Sequence, residues 1–188
     1  MAPERLSFVY NAFGKPEISE YLGAGAQWSF NISHTQSLIV IAVTREGAIG
    51  VDVEDIGLRK APWEIAEHYF ATEEVEALRA LPQGMRNKRF FQYWTLKESY
   101  IKARGMGLTI PLDGFSFDIA ADHLTLNLHP QLDDVAFRWR FWQLQVFNAN
   151  LIAVCAERRR IEQNLTVFRI LPLEEEETLE YQVICRSQ

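Results

Sequence analysis

The spacing of hydrophobic positions changes several times along the chain, and each change marks an element. Residues Gln36–Thr44 (QSLIVIAVT) form a β-branched apolar run bounded by turn residues, which predicts a buried strand. The turn Arg45-Glu46-Gly47 leads from it into Ile49–Glu54, so a hairpin is predicted. In that second run Ile49, Val51 and Val53 share one face at period two, and Gly50, Asp52 and Glu54 share the other. Apolar positions at helical spacing follow from Pro62 to Phe70. Thr72 can cap a further helix, with Glu73 and Glu74 well placed in its first turn, and that helix should fade near Leu81-Pro82-Gln83-Gly84. Arg89–Arg104 predicts the longest helix, with Gly105 as its stop. Beyond it TIPLDGFSFDIA, HLTLNLHP, FRWRFWQLQVF and NLIAVCAE read as successive strands.

The mixture predicts an α+β fold with a largely antiparallel sheet. No Gly/Ser linker divides the chain, and the closing segment, with Glu174 to Glu177 consecutive, reads as a surface extension. SLIVIAVTRE (37–46) and NLIAVCAERR (150–159) echo one another. The echo is either a coincidence of buried strands or the trace of a duplicated fold.

Composition narrows the function classes. The 188 residues are 48% hydrophobic, with 12 Phe, 6 Tyr and 5 Trp, enough to fill a globular core. A net charge of −6 argues against a general nucleic-acid binder, which would show a basic field. The basic clusters Arg86/Lys88/Arg89 and Arg158-Arg159-Arg160 read as solvated surface. Cys155 and Cys185 lie in apolar surroundings without zinc-site spacing, so buried free thiols are predicted. MAPERLSFVY has no secretory pattern and no apolar run has membrane-spanning length, so a cytoplasmic, soluble protein is expected.

The candidate chemistry begins with the acids of Ile49–Glu54. Two carboxylates on one strand face repel unless that face is well solvated or holds a cation. On the helix FFQYWTLKESYIKAR, Phe90, Tyr93, Trp94, Tyr100 and Ile101 form an apolar stripe. Glu98 and Lys102 lie four apart beside it, which is the spacing of an ordinary surface salt bridge as well as of a site. Lys97 points into the stripe and must either snorkel or meet an anion. Asn31-Ile32-Ser33-His34, read as a turn before the first strand, and Gly14-Lys15-Pro16 supply further donors to anionic oxygen. Three carboxylates and two lysines that could converge on a hard cation and a phosphate are the parts of phosphoryl transfer.

The segments FGKPEI, WSFNISHTQSLIVIAV, IGVDVEDI, HYFATEEVEAL, FFQYWTLKESYIKARGMGLTIPLDGFSF and LIAVCAE resemble, in order, those of the Sfp-type 4′-phosphopantetheinyl transferases. The resemblance covers about residues 6 to 157, and GVDVE with WTLKESYIK at this separation is its most specific part. It implies a pseudo-dimer of two similar α+β halves with mostly antiparallel sheets and a cleft between them. The implied division is 1–49 as an incomplete N-terminal half, 50–165 as a C-terminal half with the metal site, and 166–188 as an extension.

The implied activity moves the 4′-phosphopantetheine group of coenzyme A to a serine of an apo acyl or peptidyl carrier protein. It would be Mg²⁺-dependent and release adenosine 3′,5′-bisphosphate. By position Asp52, Glu54 and Glu98 are the implied metal ligands, Glu98 the general base, and Lys102 the phosphate-holding lysine. Lys15, Ser33, His34 and Lys97 are implied coenzyme A contacts. A monomer acting on a carrier protein, with neither nucleic acid nor membrane as partner, is expected. Members of this type carry some tens of residues before the GKP element, which stands here at residues 14–16. The resemblance therefore implies that much of the first half is missing. The alternative it leaves is a non-catalytic carrier-protein-binding fragment with an incomplete coenzyme A site.

Overall fold

The structure, a computed structural model, describes residues 6–19, 28–45, 47–159, 164–171 and 176–187. In chain order its elements are β1 (Phe8–Tyr10), β2 (Pro16–Ile18), β3 (Ser29–His34), β4 (Ile39–Thr44), β5 (Ile49–Asp55), α1 (Trp63–Tyr69), α2 (Thr72–Ala80) and α3 (Gln83–Arg104). Then come β6 (Phe115–Ala120), β7 (His123–Leu128), β8 (Trp139–Val146), β9 (Asn150–Glu157), β10 (Phe168–Ile170), β11 (Glu176–Thr178) and β12 (Gln182–Arg186). A six-stranded sheet in the order β5-β9-β8-β12-β7-β6 forms the middle of the molecule. Its pairings are antiparallel apart from β12 against β7. The α+β class expected from the sequence is the class observed.

Strand β9 shows how one sequence serves two cores. Leu151, Ala153 and Cys155 point to the α3 side and pack with Leu96, Tyr100 and Phe141. Ile152, Val154 and Ala156 point the other way and meet Val51, Val53 and Leu144. A strand covered on both faces reads as a continuous apolar run, and NLIAVCAE does so. Both cysteines are buried and free, as expected.

Helix α3 covers one face of the sheet, and Gly105 stops it in the left-handed conformation (φ 65°) with its N–H donated to Ile101 O. Its start is earlier than predicted: Pro82 precedes the first turn, and Arg89 lies well inside the helix. Helix α2 is entered through Ala71 rather than capped by Thr72. The other sheet face is covered partly by Val40 and Ala42 of the β3–β4 ribbon.

Two expected connections are corrected. The predicted hairpin between β4 and β5 does not form: β4 pairs with β3, and β5 pairs with β9. The NISH segment, read as a turn, is the end of β3, because its alternation lets Asn31 and Ser33 face inward while Ile32 and His34 face solvent. The closing segment is more than a surface extension, since β12 is inserted between β8 and β7 with Cys185 fully buried. Among the described residues, no helix is long and apolar enough to cross a membrane.

Candidate active site

Strand β5 forms the outer edge of the sheet, and its edge is closed by side chains instead of another strand. Asn31 Oδ1 accepts Val51 N–H at 2.9 Å, and Ser33 Oγ accepts Val53 N–H at 3.3 Å. The inner face of β5 presents Gly50, Asp52 and Glu54 toward α3. A Cβ on Gly50 would fall on the Ser99 carbonyl and the Ala103 nitrogen of that helix. The missing side chain is what lets helix and strand lie in backbone contact, and so brings Glu98 and Lys102 over the strand acids.

The resulting cluster is tightly connected. Lys102 Nζ lies 2.7 Å from Asp52 Oδ1 and donates to Ser33 Oγ at 3.1 Å, while Ser33 Oγ donates to Asp52 Oδ1 at 2.9 Å. Arg59, which follows β5, pairs with Glu54 at 2.6 Å. Asp52 is buried, and its Oδ2 has no hydrogen-bond partner among the described residues. Burial raises the Asp52 carboxyl above its usual range, against the pull of Lys102 and Ser33. Glu98 is pushed up to about 7, first by burial and then by the negative charge of Asp52, with Lys102 opposing and Glu54 adding. It is thus a carboxyl whose proton can be exchanged near neutral pH, the property a general base needs.

Whether these residues fit a divalent metal is a question of donor chemistry. Among the described residues, no three of His, Cys, Asp and Glu stand at metal-binding spacing. Asp52 and Glu54 instead each hold a cation, Lys102 and Arg59. In kind the set fits: carboxylate oxygens suit a hard cation such as Mg²⁺, and Asp52 Oδ2 is a buried acceptor without a donor. Lys102 holds Asp52 Oδ1 and leaves Oδ2 open, whereas Glu54 Oε2 is taken by Arg59, so a metal that used that oxygen would displace the guanidinium.

The other expected site residues are distributed differently. Ser33 joins the cluster, whereas His34, its neighbour, is exposed on the opposite face of the ribbon. Lys15 donates to Ile49 O (3.0 Å), Lys102 O (2.8 Å) and Ala103 O (3.3 Å). It ties the β1–β2 hairpin to the C-terminal turn of α3, where the helix dipole favours a cation. In this arrangement its ammonium serves carbonyls, not a phosphate. The expectation for Lys97 is corrected outright. It is fully buried and ion-paired with Glu74 at 2.8 Å on the far side of the helix's inner face, so the alternative of meeting an anion is the one realised. Sequence reasoning named Asn31 only within a turn and Glu74 only as a first-turn helix acid, without the β5-edge and Lys97 contacts they make, and it missed Arg59. A strand-interior glycine, Gly50, was the available signal for the helix contact; nothing in the sequence marked Arg59.

A sequence profile of the 4′-phosphopantetheinyl transferase superfamily matches residues 48–155, which hold the whole cluster apart from Ser33. The 4′-phosphopantetheinyl transferase HetI of Nostoc sp. is 38% identical over 106 residues, 56% of this chain and 44% of that protein. A 4′-phosphopantetheinyl transferase of Bacillus subtilis is 35% identical over 127 residues, 67% of this chain and 54% of the relative. The transferase ffp of Bacillus subtilis is 30% identical over 162 residues, 86% of this chain and 68% of the relative. The chain belongs to the 4′-phosphopantetheinyl transferase superfamily. It spans about half the length of the first of these relatives. The solved holo-[acyl-carrier-protein] synthase of Thermotoga maritima aligns over 72% of this chain and 84% of its own, with 16% identity and a TM-score of 0.46.

Proposed function

We propose that the chain transfers the 4′-phosphopantetheine group of coenzyme A to a serine of an apo acyl or peptidyl carrier protein, with release of adenosine 3′,5′-bisphosphate. The observation that carries this reading is Glu98, half-buried beside Asp52 and Lys102 with its carboxyl near neutrality, inside the segment that matches the superfamily. In the proposed reaction the ionised Glu98 accepts the serine hydroxyl proton as the oxygen attacks phosphorus. Lys102 balances charge on the phosphate oxygens, and Ser33 holds Asp52 in place. Asp52, Glu54 and Glu98 would hold Mg²⁺, which supplies charge neutralisation on the phosphates. His34, exposed at the end of β3, is assigned to the outer part of coenzyme A.

The test is intact-protein mass spectrometry of an apo carrier protein incubated with the chain, coenzyme A and Mg²⁺. One phosphopantetheine mass gain, lost with EDTA and with Asp52→Ala, is the expected result. The second reading, a carrier-binding fragment without transfer, is favoured by the carbonyl-bound state of Lys15. It predicts binding of the carrier with no mass gain, and that result would overturn the transferase reading.

A further inference from the structure

Lys97 stands immediately before Glu98 on α3 and is completely buried, yet its charge is fully answered. Besides the 2.8 Å pairing with Glu74 Oε2, Nζ donates to Leu112 O at 2.7 Å and Phe115 O at 2.6 Å. The Phe70 and Phe115 rings lie 5.4 and 4.3 Å from the same nitrogen. Glu74 in turn accepts Phe117 N–H at Oε1 (2.9 Å) and Ala71 N–H at Oε2 (3.3 Å). One ion pair thus joins the start of α2, the middle of α3, the turn before β6 and β6 itself.

Stability alone gives a poor reason for such a pair. Replacing a buried ion pair by well-packed apolar groups of similar volume is often neutral or stabilising. What the pair supplies is directional: three donors on one nitrogen, each with a fixed acceptor, define how deep the helix sits and how it is rolled. On the opposite side the Gly50 contact does not itself set the roll, although Lys102 on Asp52, Lys15 on the Lys102 and Ala103 carbonyls, and Tyr100 and Arg104 on Asp134 also hold this helix. Gly50 has no side chain to interlock with Ser99 and Ala103, so it fixes the distance between helix and strand but not the rotation.

Rotation is what the candidate site depends on. Successive helix residues turn by about 100°, so holding Lys97 toward Glu74 directs Glu98, and Lys102 one turn later, toward β5. We infer that the Glu74–Lys97 pair is a positioning device for the active site: it sets the roll of α3 that brings Glu98 and Lys102 against Asp52. Its expected effect on rate rests on the transferase reading above. Neither residue is catalytic, since both are sealed from the cluster by the body of the helix.

The experiment compares the parent with E74Q/K97M, which removes both charges and leaves no buried ion unpaired. Melting temperature, kcat, and KM for coenzyme A at saturating Mg²⁺ are measured for each. A purely structural pair predicts that rate follows stability. The positioning role predicts a melting temperature near the parent's with kcat lowered at least about tenfold, because misplacement of about 1 Å is that costly, and KM changed little. A kcat within about twofold of the parent at retained stability would overturn it. Should E74Q/K97M not stay folded, E74D keeps the charges and shortens the anchor by one methylene. An unaltered kcat in that folded variant overturns the inference equally.

If the parent transfers nothing, the transferase reading fails by itself, and positioning is read with Mn²⁺ alone by electron paramagnetic resonance. Binding that is lost in E98Q and about tenfold weaker in E74Q/K97M supports the device. Equal binding in parent and double variant, or none in the parent, removes it.

Discussion

Replacing Glu98 by glutamine keeps the shape of the side chain and removes the charge that the site resists. The carboxyl stands near 7 against an ordinary value of 4.5, a difference of about 2.5 units and so about 3 kcal/mol at 1.36 kcal/mol per unit. The sign follows from proton binding. Between pH 4.5 and 7 the folded chain keeps a proton that the unfolded chain has released, so stability falls as pH rises through that window and stays lower above it. The amide of the variant has no proton to release. The two proteins are expected to melt together near pH 4.5, and by pH 8 Glu98→Gln should melt roughly 6–12 °C above the parent, at 2–4 °C per kcal/mol for a chain of this size. Calorimetry in EDTA across that pH range measures the difference directly. Mg²⁺ should then narrow the gap, because a cation among the acids stabilises the parent more than the variant. A gap that does not change with pH, or a glutamine variant that is the less stable at pH 8, would refute the reasoning.

Three other perturbations address the scaffold around the acids. Gly50→Ala places a methyl group on the Ser99 carbonyl and Ala103 nitrogen, and is expected to cost about 1–3 kcal/mol as overpacking and to abolish transfer; a parent-like melting curve with normal turnover would show that the contact has slack. Ser33→Ala removes the donor to Asp52 and the acceptor of Val53 N–H, an expected loss of about 1–3 kcal/mol that chemical denaturation would detect. Lys15→Met should leave the site acids in place but loosen the β1–β2 hairpin from α3, seen as faster hydrogen exchange at Gly105, whose carbonyl accepts from Asn11 in the same hairpin. Unchanged exchange would mean that Asn11 alone holds it.

The parts of the molecule that were legible in the sequence are those whose residue types admit one environment. NLIAVCAE has no polar face to offer solvent, so a doubly covered strand follows, and Gly105 after a long periodic stretch is a helix stop. The pairing of strands was less legible. Arg45-Glu46-Gly47 looks like a hairpin turn, yet β5 pairs with a strand about a hundred residues later, where Val51 and Val53 share an apolar cluster with Ile152 and Val154. At the site, spacing on one strand and one helix, together with the family resemblance, singles out Asp52, Glu54, Glu98 and Lys102, and the fold brings Lys102 onto Asp52. Lys97 misled for a physical reason. A lysine on an apolar stripe announces that it needs an anion, but whether a substrate or Glu74 provides it depends on contacts between separate elements, which no local pattern records.

The place of β12 has a consequence for how the chain is made. β7 and β8 emerge from the ribosome before it, yet in the finished sheet they are not neighbours: β12 runs between them, parallel to one and antiparallel to the other. Until Gln182–Arg186 arrives, the sheet has a vacant lane, with the exposed backbone of β8 on one side and of β7 on the other. Bare strand edges of this kind recruit whatever strand is at hand, including one from a neighbouring nascent chain. The time between synthesis of β9 and of β12 is therefore an interval in which this protein is open to misassembly.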